Sequence, residues 1–173
     1  MDYSIYETAR NASWQCLIDC KVTELPVKPV QIAAHYGIEC KLTDAFLTAE
    51  ESGKLVQRES GKRQIIVRPT DTDQRKRFTI LHELGHHLLG ESEYMAERFA
   101  VGVLMPACVL WGVKAFTPES ISQICNVSQQ AAQRRSERMQ ILRTRNKFLV
   151  HPLERQVYTQ FQNFIKAKQN FQI

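Results

Sequence analysis

The sequence contains no internal repeat and no low-complexity tract. It also lacks any uninterrupted apolar run near the ~20 residues that a membrane span requires, so no membrane partner is expected. The start, Met1-Asp2-Tyr3-Ser4, has neither the basic residues nor the apolar stretch of a secretory signal, and a cytoplasmic location is the expectation. Cysteine is sparse and odd in number: Cys16, Cys20, Cys40, Cys108 and Cys125. Cys16 and Cys20 could share a helix face, but no second close pair completes a zinc knuckle. Free thiols in a reducing compartment are expected instead. Charge of one sign is not dominant either. The formal net charge of +5 suits a nucleic-acid or acidic partner but is too modest to establish one.

What remains is a chain of 173 residues, 43% hydrophobic, long enough to bury a core without disulfides. Ile5, Ala9, Ala12, Cys16 and Cys20 recur at helical spacing, with Trp14 off that stripe and unexplained by it. Pro29 to Tyr36 reads as a short helix stopped by Gly37. Ile38 to Leu42 reads as a strand, and Leu55-Val56 with Gln64 to Val67 as a hairpin around Glu59-Ser60-Gly61-Lys62. A long helix from about Gln74 to Leu89 follows, ended by Gly90. A Ser92-capped helix then runs over Glu93 to Leu104 and stops at Met105-Pro106. Thr117-Pro118 opens another helix, and two more are expected near 128–145 and 152–168. The order implies an α+β fold: a small antiparallel sheet, an active-site helix and a mostly helical C-terminal part.

The long helix carries His82-Glu83-Leu84-Gly85-His86. Residues four apart share a helix face, so both imidazoles can reach one ion. Glu83 projects about 100° from His82, beside the position left open for water. Zinc suits two imidazoles, one carboxylate and a water. The flanking Phe78 to Leu81 and Leu88-Leu89 are mostly apolar, which argues for a buried helix whose histidines need a partner. Gly85, costly by ~1 kcal/mol in a helix, suggests close approach of another backbone. His87 lies about 100° from His86 and cannot join the same ion without distortion.

The third ligand must come from elsewhere, and Glu91, Glu93 and Glu97 are the near candidates. If Gly90 turns the chain into a helical hairpin, both Glu93 and Glu97 can face the histidines, and that geometry alone slightly favours Glu97. Their spacing of four suggests that one binds the ion and the other orients a ligand imidazole.

Arg77 to Leu89, then Glu93-x-x-Ala96-x-Arg98-Phe99-Ala100, then Leu104-Met105-Pro106, closely resemble the ImmA/IrrE metallo-endopeptidases over roughly residues 25 to 140. The resemblance implies a gluzincin-like zinc endopeptidase with His82, His86 and Glu93 as ligands. The family usually has Asn at the position of Glu97. It further implies a zincin-like domain over 1–112 and, as substrate, a helix-turn-helix repressor. Glu83 would serve as general base, with Tyr94 and His87 as nominees to donate to the oxyanion. A substrate strand could add to a sheet edge, with Arg63 to Arg68 the expected edge.

Residues 113–173 form the helical C-terminal region, expected to pack on the first. Ile121 to Arg135 reads like a helix-turn-helix, and Ser128 to Lys147 carries six basic residues against one acidic. Arg134, Arg135 and Arg138 are candidates for nucleic-acid or partner contact. DNA is not the favoured partner: these helices are expected to pack on the protease body with their charges solvated, the family that the chain resembles commonly keeps such a segment without demonstrated DNA reading, and the turn lacks its usual glycine. The competing function is a DNA- or repressor-binding regulator with a structural or degenerate zinc site; a retained Glu83 argues against it.

Overall fold

The computed structural model describes residues 3–170. They fall into two compact units, one of residues up to Arg10 with Lys28–Val101, the other of Asn11–Val27 with Gly102 onward. This partition differs from the division at residue 112 expected from sequence. Part of the first helix, α1 (Tyr3–Asp19), and the segment after it belong with the C-terminal residues.

In the first unit, α2 (Pro29–His35) starts on proline, and Gly37 follows it at φ +72. The strands are β1 (Ile38–Leu42), β2 (Gly53–Gln57) and β3 (Arg63–Val67). Their order is β1-β3-β2, with β2 antiparallel and β1 parallel to β3. The α+β class stands, with a mixed sheet rather than a wholly antiparallel one. The expected edge at Arg63 to Arg68 is corrected: β3 is the central strand and β2 an edge. Ile65, Ile66 and Val67 are all fully buried, as a strand with neighbours on both sides and packing on both faces must be.

The long helix α3 (Asp73–Leu89) is capped by Thr72, whose hydroxyl accepts from the Arg75 amide at 3.2 Å, and it ends at Gly90 with φ +88. It packs on β2 and β3, burying Ile80, Leu81 and Leu84. The next helix, α4 (Glu93–Leu104), starts after Ser92, whose hydroxyl accepts from the Met95 amide.

As expected, α4 stops at Met105-Pro106, but in the second unit the chain does not stay irregular after it. Pro106 instead leads into a short helix, α5 (Ala107–Gly112). Glu93–Gly112 together reaches the length and mean hydropathy of a membrane span, 20 residues at 1.3, but 67% of its apolar window is buried inside the protein. Core packing is the use of those side chains here. Then come α6 (Pro118–Cys125), α7 (Gln129–Thr144), α8 (Pro152–Gln160) and α9 (Gln162–Asn170). The last two were expected as one helix. They divide at Phe161, which is fully buried and leaves helical geometry without any proline or glycine to mark it. Trp14 finds its reason here: it is 7% exposed and lies against the His151 ring, centroids 5.1 Å apart.

Candidate metal centre

The site rests on α3 and the first turns of α4. Gly85 makes their approach possible. A Cβ on Gly85 would lie 2.9 Å from the Ala96 Cα and 3.2 Å from the Phe99 ring, so any side chain there would push the helices apart. With α4 this close, the Glu93 carboxylate reaches back over α3. One of its oxygens lies 3.1 Å from His82 Nε2 and the other 3.2 Å from His86 Nε2, while the two Nε2 atoms are 3.1 Å from each other. One ligand atom from each residue falls within 4.8 Å of the others.

This donor set fits a cation. His86 donates from Nδ1 to the Gly90 carbonyl at 3.2 Å, which fixes the tautomer and leaves its Nε2 lone pair facing the cluster. His82 is held below its usual pKa by burial, then by the neighbouring His86, which disfavours its charged form. Its Nδ1 is buried with no hydrogen-bond partner among the described residues, so no hydrogen bond on that side fixes its tautomer. Two imidazoles and a carboxylate that converge on one point are a donor set that suits zinc. The histidine side chains are 18% and 20% exposed and that of Glu93 is 81% exposed, so the cluster opens to solvent on its carboxylate side.

Glu83 sits one residue after the first ligand and is half-buried. Burial raises its pKa, and a hydrogen bond from the Leu55 amide to Oε2, 3.0 Å long, works against that rise. The donor lies on β2. Pairs 52–68 and 58–62 exchange hydrogen bonds across the hairpin, so the even residues of β2 bond to β3 and the odd ones point their N–H and C=O outward. Leu55 is therefore an outward-facing edge residue that reaches the general-base candidate. Gly53, two residues earlier, has no room for a Cβ against Thr79 and the Ile66 carbonyl, which seats the strand on α3. Neither Gly53 nor the Leu55 amide was singled out from sequence. A backbone amide carries no residue signature, and only strand pairing shows which way it points.

The other nominated residues fall as follows. Glu97 is close enough to act on the charge of His82 but is not among the converging ligands. Tyr94 lies under the Arg98 guanidinium, 5.0 Å from its ring centre. His87 accepts at Nε2 from Arg63 at 3.3 Å, outside the cluster, and burial, then the arginine charge, lowers its pKa. Arg134 is exposed and Arg138 half-buried, both on α7. Arg135 does not offer a free charge: its guanidinium donates to the Met105 carbonyl and its Nε is buried.

A mixed sheet backed by a helix that offers two histidines and a glutamate, with a further glutamate from the next helix, defines a metallopeptidase-type centre. The family model of the M78 peptidases, described as the IrrE N-terminal-like domain, matches residues 19–137, and the chain belongs to that family. It is a peptidase of the ImmA/IrrE type. No curated protein matches the chain.

Proposed function

We propose that the protein is a zinc endopeptidase in which His82, His86 and Glu93 hold the metal, Glu83 is the general base, and the substrate is a helix-turn-helix repressor. The convergence of the three ligands beside a half-buried Glu83 carries the reading. Zinc at such a site supplies a Lewis acid for the scissile carbonyl and acidity for a bound water. Glu83, its pKa raised by burial, takes the proton from the attacking water and passes it to the leaving amine nitrogen. The Leu55 N–H holds Oε2 of Glu83, leaving Oε1 for that transfer. An extended segment of the repressor would add to the outward edge of β2 through the backbone of Gly53 and Gln57, the Leu55 N–H between them being taken by Glu83. Tyr94 is the side-chain donor nearest in sequence to serve the oxyanion, since His87 accepts from Arg63 outside the cluster. The reading places the reaction in the cytoplasm, where five free cysteines persist.

The test incubates the zinc-loaded protein with candidate helix-turn-helix repressors, beginning with any whose gene adjoins its own. Elemental analysis should return one zinc per chain. Glu83→Gln should keep that zinc while cleavage falls by about 10²-fold or more, the usual contribution of a general base. Undiminished cleavage by the variant would remove Glu83 from the mechanism, and absence of bound zinc would remove the ligand set.

A further inference from the structure

The chain's charge is divided unevenly between its two units. The unit that holds the metal centre has twelve Lys and Arg against thirteen Asp and Glu, whereas the other has eleven against five. The positive excess thus belongs entirely to the second unit, and six of its eleven cations fall between Ser128 and Lys147. A local excess of this kind draws polyanions.

The geometry of that segment narrows the choice of polyanion. Helices α6 and α7 pack together across a turn at Asn126, whose φ of 51 and ψ of 59 are left-handed. Asparagine adopts that conformation more readily than any residue with a bulky side chain, so the turn closes without the glycine whose absence counted against it. Ser122 Oγ donates to the Val127 carbonyl at 2.7 Å, and Ser128 Oγ accepts from the Ala131 amide at 3.3 Å, locking both sides of the turn. Ala132, Ser136 and Met139 form the buried face of α7, with the Ser136 hydroxyl donating to the Phe116 carbonyl at 2.6 Å. The first two turns of α7 expose Gln129, Gln130, Gln133 and Arg134, with no acidic residue in the first turn. Glutamine pairs with adenine edges and arginine with guanine edges in the major groove, which admits one helix. Arg145 and Lys147, exposed at the far end, suit phosphates. An acidic protein surface would ask only for cations; the exposed primary amides of Gln129 and Gln130 beside Arg134 fit base edges, while that of Gln133 donates to Glu137 at 2.9 Å.

We propose that α6 and α7 form a helix-turn-helix that sets the first turns of α7 in the major groove of duplex DNA. This activity is separate from peptide hydrolysis and stands or falls independently of it.

The experiment uses the full zinc-loaded chain and a fluorescein-labelled 30-base-pair duplex, with anisotropy followed from 50 to 200 mM salt. Binding should weaken steeply with salt. Arg134→Glu should lower affinity at least tenfold at 50 mM salt, and Arg145→Glu should reduce the salt slope by about one. Lys41→Glu, exposed on β1 of the other unit, should change neither. Selection from a randomised duplex pool should enrich a sequence, with preference at one position lost in Gln130→Ala. No binding at 50 mM salt, an unaffected Arg134→Glu or Arg145→Glu variant of native circular dichroism, or no enriched sequence would each overturn the proposal. So would complete displacement of the duplex by polyglutamate of equal charge, which would mark an acidic-protein surface instead.

Discussion

Two glutamates one helical turn apart are given different work by a few ångströms. Glu93 meets both imidazoles, whereas Glu97 acts on His82 only through its charge. Glu93→Ala should therefore cost roughly a hundredfold or more in zinc affinity, measured by competition with a fluorescent chelator. Glu97→Ala should cost about tenfold, the lower end for groups that support a ligand rather than bind the metal. Equal losses would show that both carboxylates ligate. The cysteines give a second contrast at this scale. A hydrogen bond from Cys16 lowers the Cys20 pKa, although burial and then Asp19 oppose it. Burial raises Cys40 to about 11, and pushes the fully buried Cys108 up still further. A chromogenic disulfide reagent at neutral pH should label Cys20 first in the native protein, because the thiolate is the nucleophile. Peptide mapping that finds Cys40 labelled ahead of Cys20 would contradict this ordering.

Elements matter here by how closely they approach. Gly85 lets α4 lie against α3, and the proximity of Glu93 to the histidines depends on it. Gly85→Ala adds one methyl where 2.9 Å is available, an overpacking that should cost about 1–3 kcal/mol in urea-unfolding stability. Zinc affinity should fall as well, although no ligand is changed. On β2, Leu55→Pro deletes the amide that holds Glu83 but no hydrogen bond to β3, since that amide points outward. Zinc content should survive and the cleavage rate should fall, with a smaller effect on KM. The helices that build this arrangement were legible in sequence because caps and glycines mark most of them: Ser92, Thr117 and Ser128 before helices, Gly37 and Gly90 after, whereas the Thr72 cap of α3 was read as linker. The break at Phe161 and the extra helix α5 were not, because no local breaker signals the first and Pro106 reads equally well as a stop or a start. Likewise, the parallel pairing of β1 to β3 is decided by non-local contacts, so alternation along the strands gave no sign of it.

For the molecule as a whole, the candidate metal ligands are drawn from one compact unit. His82, His86 and Glu93 all lie in the first unit, on two helices joined by a short turn at Gly90. A ligand that binds only the folded chain stabilises it by RT ln(1 + [L]/Kd), about 2.7 kcal/mol at a hundredfold excess over Kd. For a chain of this size that corresponds to a rise in Tm on the order of 5–10 °C. Chelation with EDTA should therefore lower Tm by that amount, and added zinc should restore it. The location of the effect is the stricter test. Without metal, three mutually facing ligands remain with little besides Gly85 packing to hold α3 and the start of α4 together. Hydrogen exchange should then rise around residues 80–97 on chelation, while α6 to α9, which contribute no ligand, keep their protection. A uniform loss across both units would mean that the metal governs global folding rather than the local union of two helices. The motif at His82 to His86 would then be a structural staple as much as a catalytic one.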